Sequence, residues 1–156
     1  MRFFRLVRLP DPARAFDGEG ARLYPGRWNP PGVPVVYASQ SLALATLEVL
    51  VHLDFRHAPP SQHGFVIEVP DSLIETLDEA TLPPHWRDHR HRSETQAIGG
   101  AWATSLRSPA LRVPSVLVPD EKNVVLNPRH PAFPKLTIGG PIIVPLDGRL
   151  FGRGGR

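Results

Sequence analysis

Runs of apolar residues divide the chain into short strands and two helices. Strands are predicted where apolar and β-branched residues cluster between prolines, glycines or polar turns. These segments are 3–9, 33–39, 64–70, 111–119, 124–133 and 139–151. The two predicted helices span 41–53 and 94–107. The mixture predicts an α+β fold with a small mixed sheet and packed helices.

The first predicted helix is apolar on most sides, which is typical of an interior helix. Ser39 or Ser41 is suited to cap its N-terminus. The second helix places Ala97, Ile98 and Trp102 among its apolar positions. Both helices are therefore expected to pack against the sheet.

The glycine-rich stretch 17–27 is predicted to be a functional loop. Gly18, Gly20 and Gly26 do not form a dinucleotide fingerprint, because no helix is predicted to begin directly after them. The stretch is interpreted as a flexible lid. No linker-like composition divides the chain, so one domain is predicted over residues 1–150, with a frayed tail at 151–156.

Composition narrows the class of protein. The chain has 156 residues, 41% of them hydrophobic, which suits one globular domain. It has no membrane-spanning apolar run and no signal-peptide pattern, so a cytoplasmic protein that contacts no membrane is expected. The absence of cysteine excludes disulfides, thiolate metal sites and a cysteine nucleophile. The net charge of +3 comes almost entirely from arginine, which favours anionic partners.

Glu48 is the residue that the apolar pattern explains least. The helical period places it on one stripe with Leu44 and Val51. An unpartnered carboxylate there would cost several kcal/mol, so it must be paired, protonated or facing a cavity. Either it forms a structural ion pair with an arginine, or it is a functional carboxylate in a cleft.

Two further residues favour a cleft. Arg27 follows the glycine-rich stretch, where a guanidinium is able to clamp a phosphate or to neutralise Glu48. Tyr37 ends the buried strand that leads into the Glu48 helix. Ser115 is predicted to lie buried in the strand 111–119, where its hydroxyl needs a partner. Either backbone groups satisfy it or it belongs to the functional site.

A histidine cluster occurs in HWRDHRHR, residues 85–92. His85, His89 and His91 are potential zinc ligands, but the intervening arginines repel a cation. No metal site is predicted. The segment is interpreted as a solvated basic face or a contact for a partner protein.

Several motifs in order resemble the RES domain, which is named for its arginine, glutamate and serine. They are GRWN at 26–29, VPVVYAS at 33–39, LATLEVL at 44–50, IGGAW at 98–102, VPS at 113–115 and NVVLNPRHP at 123–131. The resemblance implies a fold similar to that of ADP-ribosyltransferase toxins. It also implies an NAD-consuming toxin, with NAD as substrate rather than cofactor, encoded with an Xre-type helix-turn-helix antitoxin.

The resemblance also implies roles for single residues. The catalytic residues would be Glu48, Arg27, Tyr37 and Ser115. The residues that bind substrate would be Arg5, Arg27, Tyr37, Ser115 and Asn123. Arg8 is the alternative to Arg5, and Asn127 and His130 would be positional. Glu48 would stabilise positive charge on the ribose, and the arginines would hold the pyrophosphate.

The sequence leaves several alternatives open. The enzyme could be an NAD glycohydrolase, an NAD phosphorylase or an ADP-ribosyltransferase acting on a protein. The other class is a basic module that binds nucleic acid, which the scattered arginines and the absence of a recognition-helix pattern disfavour. Whether the chain forms a homo-oligomer is also open.

Overall fold

A seven-stranded mixed sheet organises the protein, for which a computed structural model describes residues 1–8, 10–54 and 59–151. The strands are β1 (Arg2–Val7), β2 (Val36–Ser39), β3 (Ser61–Glu68), β4 (Ile74–Thr76), β5 (Ala110–Pro114), β6 (Lys122–Leu126) and β7 (Thr137–Pro145). Their order is β4-β5-β6-β2-β1-β3-β7. Only β4 and β5 pair in parallel among the described strands; the other neighbours are antiparallel.

Four α-helices join these strands in the described ranges. They are α1 (Pro12–Ala15), α2 (Glu19–Leu23), α3 (Leu42–Leu50) and α4 (Arg92–Ser105). The Ser41 hydroxyl accepts a hydrogen bond from the Leu44 backbone N–H at 3.0 Å, so Ser41, and not Ser39, is the N-cap of α3. No described helix is long and apolar enough to cross a bilayer.

The hydrophobic core has two parts. One contains Phe3, Phe16, Val36, Ala38, Phe65, Ile67, Val124 and Leu126. The other contains Trp28, Val35, Leu82, Trp86, Trp102, Leu111, Val113 and Val125. Neighbouring residues of β2 and of β6 belong to different parts, as expected for strands whose side chains alternate between two covered faces. The fold is therefore α+β, as the sequence predicts.

Three predicted strands end earlier than expected. The strand predicted at 139–151 is β7, which ends at Pro145, and Gly148–Phe151 form a 3-10 helix. The other two end where polar side chains bind nearby backbone groups. The strand predicted at 111–119 ends at Pro114, and the Ser115 hydroxyl accepts hydrogen bonds from the N–H groups of Leu117 and Val118, each at 3.1 Å. The strand predicted at 124–133 ends at Leu126. There the Asn127 side-chain oxygen accepts from the Arg129 N–H at 3.0 Å.

The interpretation of residues 17–27 as a loop is wrong for residues 19–23, which form α2. Gly18 has φ +78°, and the Asp17 carboxylate accepts from the Glu19 N–H at 2.8 Å. Arg22 and Glu19 then form an ion pair within the helix. A helix does begin directly after Gly18, contrary to the expectation.

The remaining boundaries differ by a few residues. Helix α3 ends at Leu50 instead of 53, α4 starts at Arg92 instead of 94, and β3 starts at Ser61 instead of 64. Helix α1 and strand β4 were not predicted; both are short. The first strand was predicted to end at Leu9, which lies outside the described residues. The frayed tail was predicted at 151–156, and residues 152–156 also lie outside them.

Candidate active site

A cleft of about 810 Å³ opens where β1 and β2 separate. The described ladder between these strands consists of one pair, Phe4 opposite Ser39. Beyond that pair the strands part, and residues of both, together with α2 and α3, line the cleft. Arg5, Arg27, Tyr37, Glu48 and Asn123 all contribute to its lining, so the structure brings together five of the six residues implied for the site.

Arg5 stabilises the separated strand ends. Its guanidinium donates to the backbone carbonyl of Tyr37 at 2.7 Å and to that of Ala15 at 2.9 Å. The side chain thereby satisfies a β2 carbonyl next to the parted ladder. Burial lowers the pKa of Arg5 to about 10, and the nearby charge of Asp17 opposes that shift.

Arg8, the alternative to Arg5, is exposed and is not part of the cleft lining. Of the two N-terminal arginines, Arg5 is therefore the one built into the site.

Glu48 projects from α3 into the cleft, and a short hydrogen-bonded chain fixes its carboxylate. The Asn123 side-chain amide donates to Glu48 Oε1 at 2.7 Å. The Ser39 hydroxyl donates to the Asn123 side-chain oxygen, also at 2.7 Å. Ser39 and Asn123 face one another on β2 and β6, so the sheet itself sets this geometry. Among the described residues Glu48 forms no ion pair with an arginine, so they do not support the structural ion pair considered above.

Tyr37 is held by the loop that carries the GRWN motif. Its hydroxyl donates to the Asn29 side-chain oxygen at 2.7 Å and accepts from the Trp28 N–H at 3.0 Å. Burial raises the pKa of Tyr37 well above its usual value, although the hydrogen bond from Trp28 opposes the shift. A Cβ on Gly26 would lie 2.7 Å from the hydroxyl, so only glycine fits there.

Arg27 binds backbone carbonyls. Its guanidinium donates to the carbonyl of Trp86, to that of Asp88 at 3.3 Å and to that of Arg87 at 3.2 Å. Burial is the main cause that lowers its pKa, and the positive charge of Arg92 adds to it. Arg27 therefore connects the GRWN loop to residues 86–88 at the edge of the cleft.

Helix α4 supports the same loop from behind. A Cβ on Gly99 would lie 1.9 Å from the Trp28 carbonyl oxygen, and one on Gly100 would lie 2.8 Å from the Pro30 ring. Gln96 donates to the Gly26 carbonyl at 2.8 Å. The two glycines of the IGGAW motif thus allow the helix to pack directly on the loop backbone.

Ser115 is the implied site residue that the structure does not bring into the cleft. It is fully buried, and its hydroxyl accepts from the two N–H groups of the turn that follows β5. Its neighbours Val116 and Leu117 line the cleft, but Ser115 itself does not. A direct role of Ser115 toward substrate stays a prediction.

The histidine cluster at 85–92 lies beside the cleft. His89 and Arg92 line the cleft, and the rings of His85 and His91 lie 5.8 Å apart. In the described part of the chain, no group of three or more histidine or acidic side chains is arranged to hold a metal ion.

Sequence reasoning missed three residues that organise the site: Ser39, Asn29 and Gln96. Asn29 is fully buried and accepts from both Tyr37 and the Gly26 N–H. Its place in the GRWN motif was the available signal. Ser39 was considered only as a helix cap, and Gln96 carries no local pattern that marks it.

The cleft combines one carboxylate with several arginines. A fixed carboxylate comes from α3, whereas Arg5, Arg14, Arg27 and Arg92 line the same cleft from other elements. Arginines bind phosphate oxygens well, and a carboxylate stabilises positive charge that develops on a sugar.

Comparison with known proteins shows the family of the chain. A family model described as the RES domain matches residues 2–147. The Prs ADP-ribosylating toxin of Sphingobium sp. is 40% identical over 132 residues, covering 80% of this chain and 82% of that protein. The Toxin Res of Yersinia enterocolitica is 40% identical over 133 residues, covering 85% and 88%.

A solved structure shares the fold. In the crystal structure of the M. tuberculosis MbcT-MbcA toxin-antitoxin complex, one chain matches with a TM-score of 0.69 and 23% identity, covering 99% of this chain and 89% of that chain. The family match spans nearly the whole sequence, and the curated relatives are similar over most of their length. The chain belongs to the RES domain family.

Proposed function

We propose that the protein is the toxin of a toxin–antitoxin system and that it cleaves the bond between nicotinamide and ribose in NAD. Family membership and relatives named Toxin Res or ADP-ribosylating toxin support the first part. The second part, cleavage of NAD, rests on one observation: the Glu48 carboxylate is held by Asn123 in a cleft that arginines also line. In the proposed complex, the carboxylate lies beside the ribose that becomes positively charged, and the arginines bind the phosphates.

The proposed reaction begins with departure of nicotinamide. The bond between ribose C1′ and the pyridinium nitrogen breaks, and its electron pair leaves on nicotinamide, which becomes neutral. The ribose acquires oxocarbenium character, which the Glu48 carboxylate stabilises because it is already oriented by Asn123. A nucleophile then forms a new bond at C1′ and loses its proton.

The nucleophile defines the enzyme class. Water gives ADP-ribose, inorganic phosphate gives ADP-ribose 1″-phosphate, and a protein side chain gives an ADP-ribosylated protein. The name of the Sphingobium relative supports the last reaction as the second candidate.

Nucleic-acid binding is disfavoured, because many described arginines are paired. Arg22, Arg90, Arg107 and Arg149 each form an ion pair with a nearby carboxylate. The neighbouring carboxylates reduce the local positive charge that would attract a phosphate backbone.

The proposed partner is an antitoxin of the Xre type that covers the cleft. Apolar side chains at the mouth of the cleft are exposed, namely Leu23 (59%), Tyr24 (83%), Val51 (55%) and Leu117 (39%). Such a patch around a polar cavity is typical of a protein-binding surface.

Purified protein incubated with NAD tests the proposal. We expect nicotinamide release, which we would follow by chromatography. Separate reactions with buffer alone, with inorganic phosphate and with candidate acceptor proteins identify the nucleophile from the second product. No nicotinamide in any reaction, from correctly folded protein, would reject the proposed activity.

A further inference from the structure

The proposed reaction requires a group that accepts a proton. A nucleophile such as water or a protein hydroxyl group loses its proton when it bonds to C1′, and a base must take that proton. Glu48 is poorly suited to this task, because protonation would remove the negative charge that stabilises the ribose cation. Its Oε1 also accepts from Asn123 at 2.7 Å. The base is therefore expected to be a second group close to Glu48.

His52 lies one helical turn after Glu48. The backbone keeps turning beyond the last residue of α3, because the Val51 N–H donates to the Leu47 carbonyl and the His52 N–H donates to the Val49 carbonyl, each at 3.1 Å. Residues four apart on a helix share one face, with their Cβ atoms about 5–6 Å apart. The side chains of Glu48 and His52 are therefore neighbours.

Glu48 and His52 also lie where two cavities meet. A side groove of about 250 Å³, whose lining includes Arg8 and Leu53, adjoins the main cleft. Among the described residues, Glu48 and His52 are the two polar residues that line both cavities. His52 is exposed, so the groove gives solvent a path to the carboxylate.

His52 is better placed to accept a proton than His89, the other histidine that lines the main cleft in the described ranges. His89 Nε2 lies 3.4 Å from Arg92 Nη1, and the positive charge of the guanidinium opposes the gain of a second positive charge. Within the part of the chain that the structure describes, the His52 imidazole forms neither a hydrogen bond nor an ion pair. The Glu48 carboxylate, one turn away, stabilises an imidazolium at this position.

We propose that His52 is the general base of the reaction and that the side groove admits the nucleophile. This inference rests on the proposed function. The bond from C1′ to nicotinamide breaks with its electron pair on nicotinamide, and an oxygen of the nucleophile bonds to C1′. The proton of that oxygen passes to the unprotonated ring nitrogen of His52. The imidazolium then releases the proton to solvent, which reaches it because the side chain is exposed.

Hydrolysis of NAD by His52→Gln in phosphate-free buffer tests the assignment. Glutamine is similar in size but does not take up a proton, so kcat should fall by about 100-fold, the lower end of the range for a general base. The melting temperature should match that of wild type, because the side chain is exposed.

Azide distinguishes a missing base from a distorted site. It attacks as an anion and has no proton to lose, so it should restore most of the nicotinamide release of His52→Gln and give ADP-ribosyl azide. Glu48→Gln should not respond to azide, because its defect lies in the departure of nicotinamide.

His85→Gln is the matched control, since His85 is exposed and lines neither cavity. It should hydrolyse NAD at the wild-type rate. A folded His52→Gln variant that hydrolyses NAD as rapidly as wild type, or whose lost rate azide does not restore, would overturn the inference. So would loss of hydrolysis and rescue by azide in His89→Gln instead. Absence of nicotinamide release from wild type with every nucleophile would reject the proposed function itself.

Discussion

At the scale of single residues, Arg27 makes contacts that the sequence did not predict, and its binding of phosphate stays a prediction. It neither pairs with Glu48 nor presents an unbound guanidinium, because its donors bind three successive backbone carbonyls. The planar fork of arginine is suited to this contact, and a lysine would reach fewer acceptors. Through these contacts Arg27 holds residues 86–88 at the edge of the cleft.

A double-mutant cycle tests this role of Arg27. Arg27→Ala should lower the free energy of unfolding by about 1–3 kcal/mol, since it leaves carbonyls without their charged donor. Adding Glu48→Gln should not restore stability, because the two side chains do not pair; coupling should stay below about 0.5 kcal/mol. Urea denaturation of both single variants and the double variant provides the measurement. A recovery of most of the loss in the double variant would instead indicate an ion pair.

Tyr37 should make stability fall in alkaline solution. Burial raises its folded-state pKa above the ordinary value of 10.0, so the unfolded chain loses the phenolic proton first. The stabilisation is complete below that value and is lost as pH rises above it toward the folded-state pKa.

We expect the urea midpoint of wild type to decrease more between about pH 9 and pH 11 than that of Tyr37→Phe, which has no phenol at this position. Equal decreases in both proteins would show that Tyr37 ionises normally in the folded state.

At the scale of elements, the contact between α4 and the GRWN loop determines where the site residues lie. Gly99→Ala should lower the free energy of unfolding by about 1–3 kcal/mol, because the added methyl group would overlap the Trp28 carbonyl. The higher helix propensity of alanine offsets up to about 1 kcal/mol of the overlap. The loop also carries Arg27, so nicotinamide release should decrease as well.

The matched control is Gly148→Ala, where a Cβ would meet no atom within 4 Å. Chemical denaturation and activity of this variant should match wild type. Wild-type stability and activity in Gly99→Ala would mean that the helix and the loop are not in tight contact.

Sequence patterns located most elements but not their ends. The apolar pattern predicted α3, α4 and the central strands, because burial on one or both faces imposes it. The positions at which these elements begin and end depend on hydrogen bonds between side chains and the backbone, such as those of Ser115 and Asp17. Local propensity does not encode which of these bonds form, so α2 was taken for a loop and the strand at 111–119 was predicted too long.

At the scale of the whole molecule, the separation of β1 from β2 creates the cleft. Sequence predicted that Glu48, Arg27 and Tyr37 would share a crevice, and they do line one cleft. The connection from Ser39 through Asn123 to Glu48 was not predictable, because it depends on the pairing of β2 with β6 across 84 positions of the chain. The burial of Gln62 on β3, whose side-chain amide has no hydrogen-bond partner among the described residues, likewise emerges only from the assembled sheet.

Expression without an antitoxin should arrest bacterial growth, because the proposed reaction consumes a central cofactor. Cellular NAD should decrease before growth stops, and Glu48→Gln expressed at the same level should leave both unchanged. Normal growth with unchanged NAD, in cells that contain soluble and active wild-type protein, would contradict the proposed role as a toxin.

Nicotinamide release by purified wild type and Glu48→Gln is the most direct test of the proposed function. The substitution keeps an oxygen that can accept from Asn123 and removes the negative charge, so circular dichroism and the melting temperature should match wild type. We expect the rate of nicotinamide release to fall by about 100-fold or more, as for loss of one preorganised electrostatic group. A folded Glu48→Gln protein that releases nicotinamide at nearly the wild-type rate would contradict the assignment of Glu48 as the group that stabilises the ribose cation.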